Sequence, residues 1–120
     1  MHELSIAVEL VEAACERAAE LDARVEVVHV RLGQLAGVIP AALEFCFEAA
    51  AAGTAIEGAR LAIEEMPVTV RCPACGGEPR PASPQLLRCP DCGAPTPEVV
   101  GGRELELFAL EVHENAASHR

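Results

Sequence analysis

Residues 67–98 limit most severely what this chain can fold into, because they hold eight of its nine prolines and four of its six cysteines, with few apolar side chains to bury. Hydrophobic burial alone cannot offset the conformational entropy of such a stretch, so a metal is the natural source of its ordering free energy. Its motif occurs twice. Cys72-Pro73-Ala74-Cys75-Gly76 and Cys89-Pro90-Asp91-Cys92-Gly93 are copies of one CPxCG knuckle, with 13 residues between the cysteine pairs. Each knuckle bends so that two thiolates face one point and turn amides can donate to sulfur, while the glycine takes a backbone conformation that other residues resist. Cys72, Cys75, Cys89 and Cys92 together offer a tetrahedron of thiolates, for which Zn(II) is the leading occupant. Four sulfurs with no histidine and no open position describe a closed structural site. A single rubredoxin-like iron, or a dithiol/disulfide switch, would use the same residues and stays open as the alternative.

The chain around this insert carries the periodicities of an α+β fold. Ile6, Leu10, Ala14 and Leu21 recur at helical spacing in a segment starting almost at residue 3. Residues 24–32 switch to period two with β-branched side chains, and Gly33 ends that strand. Pro40 suits the first position of a second helix running to about Ala51, and Gly53 stops it. Residues 60–66 and 104–112 alternate as further strands. The expected architecture is two helices packed on a small three-stranded sheet, with an inserted four-cysteine zinc-ribbon-like subdomain. The discontinuous α/β domain takes residues 1–66 and 99–115, the insert residues 67–98, and a flexible tail residues 116–120. Residues 67–70 and 97–102 read as linkage.

Charge narrows the partners. Nineteen acidic against nine basic side chains give a net charge of −10, which repels phosphate backbones and anionic lipid heads. The insert's own charges cancel, Arg71, Arg80 and Arg88 against Glu78, Asp91 and Glu98, so the whole excess lies on the α/β part. No nucleic acid and no membrane are expected as partners. No apolar run reaches the roughly 18 residues of a membrane span, and the start lacks the basic region of a secretion signal. A cytoplasmic location follows as the expectation, and in that reducing compartment clustered cysteines bind metal more often than they pair.

The start of the chain offers a second metal site of another kind. In Met1-His2-Glu3 the α-amine, the ionisable His2 amide and the His2 ring nitrogen can close two fused chelate rings, with the Glu3 amide next in line. A planar, nitrogen-rich set suits Ni(II) or Cu(II), whereas zinc prefers a tetrahedron with thiolates. By itself such a start is a weak signal, since Met-His occurs by chance in many proteins and its plain reading is a frayed terminus with a solvated histidine.

Taken in order, Met1-His2-Glu3-Leu4-Ser5-Ile6-Ala7, Gly33, Gly37-Val38, Phe45-Cys46-Phe47-Glu48, Gly53-Thr54, the two knuckles and Gly101-Gly102-Arg103-Glu104-Leu105 make a specific series. By it the chain resembles the HypA/HybF nickel-insertion accessory proteins of NiFe-hydrogenase maturation over nearly its full length. The resemblance implies a metallochaperone, with no enzymatic activity, that receives Ni(II) at His2 and the backbone of Met1 to Glu3. It implies a structural Zn(II) at Cys72, Cys75, Cys89 and Cys92. It further implies a HypB-type GTPase and the NiFe-hydrogenase large subunit as partners, with urease accessory proteins for those members that also serve urease. No histidine lies between Cys72 and Cys92, so the insert offers nickel no further imidazole.

Other polar candidates have plainer readings. Cys15 and Cys46 fall among apolar residues and are expected as buried small hydrophobes. His29 alternates out of its strand, Glu44 and Glu48 share a solvated helix face, and His113 and His119 belong to a polar tail. No nucleophile and base pair or phosphate-binding loop is present, so any GTP hydrolysis belongs to a partner. Two other classes compete. A zinc-ribbon interaction module predicts a basic surface where this chain is acidic, and a rubredoxin-like redox protein gives Met1-His2-Glu3 no role.

Overall fold

The structure, a computed structural model, describes residues 2–96 and 98–114, so Met1, His119 and the tail expected at 116–120 lie outside the described residues. Among the described residues two helices and five strands follow one another as α1 (Glu3–Leu21), β1 (Ala23–Gly33), α2 (Pro40–Ala51), β2 (Arg60–Met66), β3 (Thr69–Arg71), β4 (Glu98–Gly101) and β5 (Leu105–Glu114). The main sheet has the order β2-β1-β5, and β3 and β4 form a separate two-stranded sheet. The fold is α+β, as the periodicities indicate.

Helix α1 buries Ile6, Ala7, Leu10, Val11, Ala14 and Ala18 along one face, and it packs against α2. Alanine at three of these positions lets the helix approach its neighbours closely. The helix ends at Asp22, whose left-handed backbone (φ 49°) turns its N–H back onto the carbonyls of Ala18 and Ala19. In α2 Pro40 occupies the first turn, where its missing N–H costs nothing, and Leu43, Phe47 and Ala51 point inward. With Ile56, Val28 and Val30 these are among the most completely buried residues of the core. Along β1 the alternation shifts phase, because Val27 and Val28 are both buried before Val30 and Leu32 resume the inward series. That shift carries His29 outward to pair with Glu111 of β5 at 2.5 Å and to lie 5.9 Å from the Phe108 ring. Cys15 and Cys46 are half-buried, less enclosed than their apolar neighbours led us to expect, since each sits at the margin of its helix's inner face.

The chain divides into two compact units, one of residues up to 30, Val38–Glu64 and those from Glu106 on, the other of Arg31–Gly37 and Glu65–Leu105. In the second unit, residues 67–70 and 98–102 are structured backbone where linkage was expected, and Pro97 lies outside the described residues. Strands β3 and β4 pair antiparallel there, with Val70 opposite Val99 and Arg71 opposite Glu98. Arg71 also holds Glu78 at 3.0 Å and Glu98 at 3.2 Å.

Gly33 does more than end its strand. Its N–H donates to the Glu104 carbonyl at 2.7 Å, while Leu35 N–H donates to the Gly102 carbonyl at 2.6 Å and Gln34 N–H to that of Met66 at 3.1 Å. A Cβ on Gly33 would stand 2.1 Å from the carbonyl carbon and oxygen of Gly102. The obstacle is backbone, which cannot swing aside. Gly33→Ala should therefore destabilise the chain by at least the ~1–3 kcal/mol of ordinary overpacking. Urea unfolding checks this, and an unchanged midpoint would contradict the close approach.

Candidate metal centre

The two knuckles are built by matching hydrogen bonds. In the first, Gly76 N–H donates to the Cys72 carbonyl at 2.8 Å and Cys72 N–H to the Gly77 carbonyl at 3.0 Å. In the second, Gly93 N–H donates to the Cys89 carbonyl at 2.8 Å and Cys89 N–H to the Ala94 carbonyl at 3.0 Å. Gly76 and Gly93 have φ of +76° and +73°, the left-handed region that an L side chain resists and that both motifs therefore fill with glycine. The Arg88 guanidinium donates to the Gly93 carbonyl at 3.1 Å, which steadies the second turn. Thr96, 1% exposed, donates its hydroxyl to the Leu87 carbonyl at 2.6 Å and so ties together the residues on either side of the second knuckle. Neither Arg88 nor Thr96 stands out in the sequence, because their partners are carbonyls that only the fold brings within reach.

These turns bring Cys72, Cys75, Cys89 and Cys92 together, with every sulfur within 4.8 Å of the others. Cys72 and Cys92 are 3.6 Å apart. Sulfurs about 2.3 Å from a central ion at tetrahedral angles stand roughly 3.8 Å from each other, so the quartet fits a single tetrahedral metal. Burial is split. Cys72 and Cys89 are buried, whereas Cys75 and Cys92 are exposed, so one edge of the quartet faces solvent.

The thiols do not hold their protons equally. The N–H of Cys75, donated to Cys72 sulfur at 3.3 Å, brings the Cys72 thiol down to about 7 and favours its thiolate. Its neighbours' sulfurs, Cys92 first, push Cys75 up to about 12, because hydrogen bonding and like charge keep that proton in place. A cation reverses this by attracting every thiolate at once. The donor set is chemically that of a metal-binding site.

The other expected site residues lie at the start of α1. His2 takes the N-cap position in extended conformation (φ −86°, ψ 134°) and is exposed; its carbonyl accepts the Ile6 N–H at 3.3 Å, while its ring makes no capping hydrogen bond. Glu3 opens the helix, and its carboxylate accepts the Ile39 N–H at 3.2 Å. That bond holds the Glu3 carboxyl below its ordinary range. Sequence reasoning missed this tie between the two helix starts, since residues 3 and 39 meet only in the fold. Among the described residues no histidine joins the cysteine quartet, and His113 is exposed at the end of β5.

Comparison with known proteins agrees with this arrangement. The family described as "Hydrogenase/urease nickel incorporation, metallochaperone, hypA" matches residues 1–112. The hydrogenase maturation factor HypA of Chloroflexus aurantiacus is 53% identical over 112 residues, covering 92% of this chain and 98% of that one. The corresponding factor of a Roseiflexus species is 52% identical over 116 residues, covering 96% and 94%. Among solved structures, the solution structure of the Ni metallochaperone HypA from Helicobacter pylori superposes with a TM-score of 0.67 at 24% identity, covering 96% of this chain and all of that one, a likeness of fold. With a family match along nearly its whole length and relatives more than half identical, the chain belongs to the HypA family of hydrogenase/urease nickel-incorporation metallochaperones.

Proposed function

We propose that this chain carries Ni(II) at its N-terminus during NiFe-hydrogenase maturation and keeps its shape with a structural Zn(II). The observation that carries the nickel reading is His2: exposed, with a ring that makes no capping bond, and set immediately before the first turn of α1. Nickel as cargo would take the Met1 amine, the His2 amide and the His2 ring, with the Glu3 amide next. Glu3 enters this set through its backbone, because its carboxylate is engaged by Ile39. The positive end of the α1 dipole stabilises negative charge there, which favours the ionised amides such a planar complex requires. A chelate on an open helix start can also be reached by a receiving protein and lose its ligands one at a time.

Zinc would sit among Cys72, Cys75, Cys89 and Cys92, where an all-thiolate set leaves it no open position for chemistry. In this reading residues 67–98 serve shape and residues 1–66 with 99–115 serve transfer. No helix among the described residues is long and apolar enough to cross a membrane, and reduced thiols suit the cytoplasm. A HypB-type GTPase would cooperate, and the hydrogenase large subunit, or urease accessory proteins, would receive the ion.

Metal titration of untagged, zinc-loaded protein tests the division of labour. One Ni(II) per chain should bind with zinc fully retained and with the absorption of a planar nitrogen site. Nickel that binds only by displacing zinc, with thiolate-to-nickel charge-transfer bands, would overturn it.

A further inference from the structure

We infer that the outer face of α2 and the cavity beside Phe45 form a docking groove for a partner protein, entered by a basic segment that carries an apolar anchor. Three observations meet there. First, Phe45 is 75% exposed, the most exposed of the large hydrophobics among the described residues, while Phe47 two positions on is 1% exposed in the core. A helix cannot bury both, and here the solvated one is a whole aromatic ring with no role in holding the helix down.

Second, the ring borders real concavity. Phe45, Ala49 and Ala52, at i, i+4 and i+7, line a cavity of about 490 Å³ with Glu48 and Gly58, and a second cavity of about 490 Å³ shares Glu48 and Gly58. Its wall is fixed. Thr54 donates its hydroxyl to the Ala51 carbonyl at 2.6 Å and accepts Ile56 N–H at 3.3 Å, and Ile56 is wholly buried. A preformed apolar recess with an aromatic at its lip is how interfaces seat an anchor side chain.

Third, the rim selects by charge. Glu44, Glu48 and Glu57 stand around the two cavities against Arg60 alone, and none of the three carboxylates has an ionic or hydrogen-bond partner among the described residues. Glu44 and Glu48 repel one another at i, i+4. A segment bringing lysine or arginine relieves that repulsion and is steered by the chain's −10 charge, whereas an acidic segment meets it head-on. Membranes with anionic heads and nucleic acids are repelled on the same ground. The inference rests on the reading that this chain acts by meeting other proteins, and on nothing about how the ion is bound.

Two helical probe peptides of ~18 residues, about five turns, test it. Both carry the same leucine and phenylalanine stripe, one flanked by lysine and arginine, the other by glutamate. Titrated into full-length zinc-loaded protein, the basic probe should shift the amides of Phe45, Glu48, Ala49 and Gly58 saturably and weaken as salt rises. Phe45→Ala should cut its affinity at least tenfold, and Glu48→Lys with Glu57→Lys likewise, while nickel and zinc stoichiometry stay unchanged. Since Phe45 is solvated, its loss leaves the fold intact, which the unchanged thermal midpoint checks. Equal binding of the acidic probe, shifts elsewhere, or indifference to Phe45→Ala would overturn the groove. So would a dimer that Phe45→Ala splits, for then a second copy covers the face. Loss of nickel binding in His2→Ala with probe binding intact keeps the two readings apart.

Discussion

Replacing Cys89 with serine, or stripping zinc with a strong chelator, is expected to unfold Glu65–Leu105 while α1, α2 and their core stay native. That unit has little else to hold it. With Arg31–Gly37, which belongs to the same unit, its fully buried large side chains are Leu32, Val70, Thr96 and Cys72, and one of these is a member of the thiol quartet. Transferring so few groups from water cannot outweigh the ordering of some forty residues at ~1–2 kcal/mol each. Structural zinc contributes apparent binding free energies of about 10–16 kcal/mol at neutral pH, and it does so only when the fold assembles all four thiolates. Amide spectra of metal-free protein should therefore lose the dispersed signals of residues 65–105 and keep those of Ile6, Leu43 and Phe47. A native-like spectrum for that unit without metal would contradict the assignment. Acid should have the same effect by competition. Each thiol must be deprotonated to bind, Cys75 begins near 12 and Cys72 near 7, so apparent zinc affinity falls as pH falls.

His2→Ala should abolish tight nickel binding and change little else. Loss of an outer-shell partner costs roughly 10–100-fold in metal affinity, and loss of a direct ligand that closes two chelate rings should exceed that. Stability should be unaffected, because the exposed His2 ring makes no capping bond. The wild-type site should also bind nickel more weakly as pH falls, because protons compete with the ion for the amine, the amides and the ring. Isothermal titration of both proteins at several pH values reads both effects. Affinity unchanged by the substitution would move the cargo site elsewhere.

How much of this was legible in the sequence depended on how local each feature is. The knuckles could be read outright, since a CPxCG turn is closed by bonds within five residues and its glycine is dictated by a positive φ. Helices α1 and α2 and the three long strands could be read because their periods run for seven residues or more. Strands β3 and β4 could not, being three and four residues long beside prolines, and held by register to each other across the insert. Gly33 looked like punctuation because only Gly102, distant in sequence, shows why no side chain fits. Period alone put both Phe45 and Phe47 in one helix, and packing decided which stayed in water. At the N-terminus the ligand types were visible, yet the Glu3 bond to Ile39 was not, so the carboxylate's engagement had to come from structure.

If nickel is held by the α-amine and amides at the chain's start, its affinity depends on a free amine at Met1, and nickel titration of a protein carrying extra residues before Met1 reads that dependence. Such an extension keeps His2, Glu3, all cysteines and the fold, and removes only the primary amine from its place beside His2. Tight nickel binding should disappear while one zinc per chain remains. Wild-type nickel affinity in the extended protein would contradict it.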